Sequence, residues 1–152
     1  MTSDSRLPIP PLLDRISFLV HRINAHLLRQ MNPRLKVWGV DLTESRLLVA
    51  LLELGPLTAG DLVRVMALPQ STVSHQVKRL EKHGYVVRSQ DAKDSRVIIT
   101  HLTESGREIA GQADDCSREV TQQFARAIAD EQELAVVRAA LKRIDETFSQ
   151  KS

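Results

Sequence analysis

Between Pro69 and Gly84 the chain reads P-Q-S-T-V-S-H-Q-V-K-R-L-E-K-H-G, a short stretch rich in hydroxyls, imidazoles and cations. At 3.6 residues per turn, Val73, Val77 and Leu80 share one side of a helix. Ser71, His75, Lys78 and Lys82 share the other, flanked by Thr72, Ser74 and Arg79. Such a mixture of donors suits base edges and phosphate oxygens, the two kinds of acceptor in a DNA groove. Taken alone, the same pattern describes an ordinary solvated helix, so the neighbouring segments decide.

Upstream, Thr58-Ala-Gly-Asp61 has the spacing of a capping box, in which the threonine oxygen and the carboxylate three residues on satisfy each other's backbone amides. A short helix with Leu62, Val65 and Met66 inward follows, then a tight turn at Ala67-Leu68. Pro69 comes next, its fixed φ suited to a first helical position. Two short helices joined so briefly form a helix-turn-helix, whose second member enters the major groove. Downstream, Gly84 stops the helix, and Tyr85–Gln90 and Arg96–Leu102 read as two strands around the polar turn Asp91–Ser95. A hairpin appended to a helix-turn-helix is a winged helix. Lys93 and Arg96 sit near its tip, where an extended cation reaches an adjacent minor groove. Asp94 would repel phosphate if it faced a duplex, so it is expected to hold the Arg96 guanidinium in a bidentate pair.

These pieces together, Gln70-Ser-Thr-Val-Ser74, Arg79-Leu-Glu-Lys-His-Gly84, the turn with Asp91, Asp94 and Arg96, and Leu102-Thr-Glu-Ser-Gly106, carry a resemblance. Residues 43–106 resemble the core of the MarR family of bacterial transcriptional regulators. The resemblance implies an obligate homodimer with one winged helix per subunit, usually a repressor and often released from DNA by a small molecule. Pro69 departs from the pattern, because similar sequences often place a capping side chain there.

The remaining segments must position this core. Pro8, Pro10 and Pro11 predict a flexible or extended arm over residues 1–11. From Leu12 to Met31, an apolar stripe of Leu12, Ile16, Leu19, Val20, Ile23 and Leu27 predicts a helix ended by Asn32-Pro33. A connection, Arg34–Asp41, contains the single tryptophan, Trp38. Thr43 is expected to cap a helix to Leu54 with Leu47, Ala50, Leu51 and Leu54 inward, stopped by Gly55-Pro56. Thr103 should cap a long helix to about Ala129, with Ile109, Ala113, Cys116, Val120 and Ala127 on one face. A last helix from Asp130 carries Leu134, Val137, Leu141, Ile144 and Phe148. The predicted fold is mostly α with a small β-hairpin wing, an α+β winged helix with six helices in one domain over residues 1–152. It has a DNA-binding core at 43–102 and dimerisation helices at 12–31 and 103–148. The apolar stripes of those helices exceed what a monomer covers, which points to a two-fold dimer reading an inverted repeat. Its recognition helices would stand about 34 Å apart, one duplex turn.

Composition sets outer limits. The 152 residues suffice for one core without disulfides or metal. Net charge is only +2, but it divides as +2 over residues 1–67, +3 over 68–102 and −3 over 103–152, so positive charge gathers in the helix and wing. A single cysteine excludes an internal disulfide and fits a reducing cytoplasm, where the protein would join the nucleoid when bound to an operator. No apolar run reaches membrane-span length, and no signal-peptide pattern opens the chain, so no membrane partner is expected. There is no nucleophile paired with a base and no glycine-rich phosphate loop, which argues against an enzyme.

Several side chains could carry a second chemistry. Cys116 lies on an apolar stripe with no basic residue beside it in sequence, so it reads as a small hydrophobe, with an oxidant-sensing thiol as the alternative. His21, His26, His75, His83 and His101 lack metal-ligand spacing, and no cofactor is expected. The family resemblance implies an effector cleft between dimerisation helices and winged helix, often for an aromatic carboxylate. His21, Arg22, Trp38 and Arg46 are the residues expected to wall it, since arginine forks match carboxylates. An activator on the same scaffold remains a second reading.

Overall fold

The computed structural model describes residues 8–128 and 130–149. Of the expected N-terminal arm, residues 1–7 lie outside the described residues, while Pro8–Pro11 form neither helix nor strand. After a 3-10 turn at Leu12–Asp14, α1 runs Ile16–Leu35, α2 Leu42–Leu54, α3 Ala59–Met66, α4 Gln70–Lys82, α5 Glu104–Ala127 and α6 Glu131–Ser149. Three short strands, β1 Leu57–Thr58, β2 Val86–Gln90 and β3 Ile98–Leu102, form an antiparallel sheet in the order β1-β3-β2. This is the mostly α winged helix that the sequence predicts, with six helices among the described residues.

Several boundaries differ from the expectation, each for a physical reason. The first helix does not stop at Asn32-Pro33; Pro33 lies inside α1. Proline there removes one ladder hydrogen bond, but Met31 and Leu35 on either side are buried in the core and offset the loss. The cap of α2 is Asp41, not Thr43. The Glu44 amide donates to Asp41 Oδ1 at 2.8 Å and the Asp41 amide to Glu44 Oε2 at 2.9 Å, a reciprocal box that starts the helix early enough to bury Leu42. Pro69 precedes α4 as its N-cap residue and offers no side-chain bond. The wing strands begin at Val86 and Ile98 rather than Tyr85 and Arg96, and β1 adds a third strand through Leu57↔Thr100 and Thr58↔Ile99. Two residues are too few to show a strand's alternation in sequence.

One core joins Met31 and Leu35 of α1, Leu42, Leu47, Leu48 and Leu51 of α2, Leu62, the inner face of α4, the sheet, and Ile109, Ala110, Ala113 and Cys116 of α5. Not every stripe residue reaches it. Leu54 and Val65, expected inward, are exposed, and so is Ala127, because their stripes extend past the elements that cover them. The N-terminal half of α1 and all of α6 contribute no buried residue among those described.

The helix-turn-helix is held by short-range chemistry. Thr58 Oγ1 accepts from the Asp61 amide at 3.1 Å and donates to Asp61 Oδ2 at 2.7 Å. Ala67 then turns the chain in the left-handed region at φ 50. Replacing Thr58 by alanine should cost about 1 kcal/mol in urea unfolding, and serine should restore it. The Thr58 hydroxyl and then its amide hold the Asp61 carboxyl below its ordinary value. The stabilisation from Asp61 is therefore present above about pH 4 and lost as pH falls through the lowered native value. The alanine variant should show a smaller acid loss than the wild type; an equal loss would exclude this cap as its source.

Candidate nucleic-acid interface

The inner and outer faces of α4 separate as the periodicity predicts. Val73, Val77 and Leu80 are buried. Ser71, Ser74, His75, Lys78 and Lys82 are exposed on the opposite side, and Thr72 is half-buried. Because α4 packs on α2, α3 and β2 through its apolar face, the donors are presented on a fixed surface.

The wing places its cations by backbone chemistry. Its turn is closed by the Asp91 amide donating to the Val97 carbonyl at 2.8 Å and the Val97 amide to the Asp94 carbonyl at 2.9 Å. The carboxylate of Asp91 accepts from the Lys93 amide. Arg96 donates through Nε to Asp94 Oδ1 at 3.1 Å and through Nη2 to Asp94 Oδ2 at 3.2 Å. This is the bidentate pair anticipated from sequence, and it leaves the Arg96 side chain 89% exposed. The Arg96 guanidinium, then its backbone amide, keeps the Asp94 carboxyl below the usual range, so the pair stays ionised at neutral pH.

Two arginines have partners that sequence spacing concealed. Arg88 on β2 donates to Glu81 on α4, with Nη2 2.7 Å from Oε2, which braces the wing against the helix. Arg79, grouped above with the DNA-facing residues, also reaches inward. Its Nε lies 3.0 Å from Oε1 of Glu44, whose side chain is 0% exposed, while Arg79 itself is 44% exposed. The contact is an ion pair without hydrogen-bond alignment, since Glu44 Oε1 has no hydrogen-bond partner. Burial pushes the Glu44 carboxyl above its ordinary value, opposed by the Asp41 amide and the Arg79 and His83 charges. No pattern in the sequence marks a helix-start glutamate as the partner of a residue 35 positions later.

The four residues expected around an effector are not gathered in the single chain. A cleft of about 130 Å³ lies between α1, α2 and α5, and Arg46 lines it with Leu27, Met31, Ser45 and Ser117. His21, Arg22 and Trp38 are not on its wall. His21 is exposed on α1 near the Phe18 ring, and the Trp38 carbonyl accepts from the Tyr85 hydroxyl at 2.7 Å. A second cleft of about 240 Å³ between α3, α4 and the sheet is lined by Gln70, Ser74 and Arg88 among others. Cys116 is buried, and Arg34 of α1 is bonded to Glu119, three residues further along α5, at 2.8 Å.

Comparison with known proteins bears on this geometry. The MarR family profile matches residues 38–97, from the turn before α2 to the end of the wing loop. A probable transcriptional regulator from Pseudomonas aeruginosa is similar over 88% of this chain and 99% of its own, at 30% identity and a TM-score of 0.76. The chain belongs to the MarR family. It is also similar to the HTH-type transcriptional repressor NicR of Pseudomonas putida, 30% identical over 64% of this chain and 62% of NicR. The crystal structure of CouR from Rhodococcus jostii, bound to p-coumaroyl-CoA, matches at 26% identity and a TM-score of 0.79, over 90% of this chain and 95% of CouR. As a MarR family member the protein is a transcriptional regulator with a winged-helix DNA-binding fold. Among the described residues no helix is long and apolar enough to cross a membrane.

Proposed function

We propose that the protein is a homodimeric repressor that grips an inverted-repeat operator with α4 and the wing of each subunit and is released by a small aromatic acid. One observation carries the reading: the donor-rich face of α4 is exposed beside a wing whose Arg96 is already oriented by Asp94. Ser71, Ser74, His75 and Lys78 take base edges and nearby phosphates, Thr72 and Lys82 flank them, and Lys93 and Arg96 enter the minor groove. Arg79 divides its fork between Glu44 and the duplex side.

Dimerisation is supported by the face that the single chain leaves uncovered. Ile16, Leu19, Val20 and Ile23 on α1 are 42–63% exposed, and Leu141 and Ile144 on α6 add to that surface. Repression has its support in the likeness to NicR. The aromatic effector is supported by CouR's p-coumaroyl-CoA and by Arg46 on the cleft beside α1. Binding there would shift the dimer toward a spacing of recognition helices that no longer fits one duplex turn.

Selection of duplexes from a random pool, repeated with benzoate-like acids, tests the whole reading. A recovered inverted repeat, lost again when an acid is added, is the expected outcome. On that repeat Arg96→Ala should weaken binding by more than ~1 kcal/mol, and Asp94→Ala by less, since it disorders the cation without removing it. Unchanged affinity in the Arg96 variant would remove the wing from the interface. Calorimetry with no heat from any aromatic acid would remove the effector class.

A further inference from the structure

The last turn of α4 and the residues just after it meet the start of α2 and the segment that joins α1 to α2. Arg79 meets Glu44, and the Tyr85 hydroxyl donates to the Trp38 carbonyl at 2.7 Å. The His83 ring lies so near Gly39 that an added Cβ there would stand 2.9 Å from its Cε1. His83 and Tyr85 stack with centroids 5.7 Å apart. On its other side the start of α2 meets α1, where Asn32 Oδ1 accepts from the Leu42 amide at 2.9 Å, and Ser45 and Arg46 line the cleft.

We propose that Glu44 is a positioning residue for duplex recognition, its buried carboxylate fixing the presentation of α4 through Arg79. The inference rests on the DNA-binding reading above and deepens it. A fully buried carboxylate is costly to keep, and the Asp41 amide accounts for only one of its oxygens, Oε2, leaving Oε1 directed at Arg79. Glu44 also cannot touch a duplex, because none of its side chain is exposed. Its negative charge beneath a phosphate-facing helix opposes binding, so charge alone predicts tighter binding when it is removed. Positioning predicts the reverse.

The discriminating experiment measures the affinity of the wild type, Glu44→Gln, Arg79→Gln and the double variant for the selected operator and for a random-sequence duplex at one salt concentration. Glutamine keeps an acceptor for the Asp41 amide, removes the charge and replaces the oxygen facing Arg79 with an N–H donor. Glu44→Gln is expected to lose about tenfold on the operator, the size of a coupled contact, and to keep or gain affinity for random duplex. The double variant should lose no more on the operator than the weaker-binding single variant. Operator binding by Glu44→Gln as tight as wild type, or losses that add, would overturn the proposal. If Glu44→Gln does not fold by circular dichroism, Glu44→Asp, which keeps the charge but withdraws it from Arg79, carries the same test. A lowered operator-to-random ratio supports the proposal and an unchanged one overturns it. A wild type that binds no duplex removes the DNA-binding reading itself, a result distinct from either.

Discussion

Gly106→Ala is expected to destabilise the protein by about 3 kcal/mol or more, a large fraction of a typical native stability. A Cβ on Gly106 would stand 1.8 Å from the Tyr85 carbonyl oxygen and 2.8 Å from its carbon. Those are backbone atoms between α4 and β2, so no side chain can swing aside. The same oxygen accepts from the Thr103 amide at 3.0 Å, and Thr103 and Ser105 both donate their hydroxyls to the Gly84 carbonyl. Relief would therefore require lifting the start of α5 off the root of the wing and losing several bonds together. Gly111 lies in the same helix with nothing within 4 Å of an added Cβ. Alanine there should stabilise by roughly 0.5–1 kcal/mol, through helix propensity alone. Urea unfolding of the two variants at equal protomer concentration decides the matter. A Gly106 variant as stable as the Gly111 variant would mean that α5 and the wing do not meet as described.

The second large effect concerns assembly. Ile23 is the last residue of the exposed stripe of α1, and aspartate there would bury an unpaired charge in the proposed dimer interface, at several kcal/mol. Ile23→Asp should leave the winged-helix core folded, because the buried residues of α1 are Met31 and Leu35, further along the helix. Its dimer should weaken by at least ~100-fold, and operator affinity should fall further than in Arg96→Ala, since one half-site binds alone. Sedimentation velocity at micromolar protein reads this directly. A variant that still sediments as a dimer would place the interface elsewhere.

What was legible in the sequence was whatever local rules determine. Val73, Val77 and Leu80 announced their face by spacing, Thr58 with Asp61 and Thr103 announced caps, and Asp94 with Arg96 announced a pair two residues apart. What stayed hidden depended on distant segments meeting. Glu44 looks like a solvent-facing residue of a helix start until α4 folds over it, and Arg79 looks free until Glu44 is beneath it. The cap of α2 is the exception, since Asp41-Leu-Thr-Glu44 has capping-box spacing and local rules alone favour Asp41 over Thr43. Arg88 reaches Glu81 only because the wing folds back on the last turn of α4. The effector residues were the least legible. Arg46 lines a cleft while His21, Arg22 and Trp38 do not, since a pocket wall is set by helix packing rather than by residue type.

In the proposed dimer, α4 and the wing form one duplex-binding surface, presented twice. Anisotropy of a labelled inverted-repeat duplex, titrated with wild-type protein over a range of salt, tests it most directly. Saturable binding by the dimer is expected, with log affinity falling linearly in log salt and a shallower slope in Arg96→Ala. Failure to retain any duplex, selected or random, at low ionic strength would contradict it.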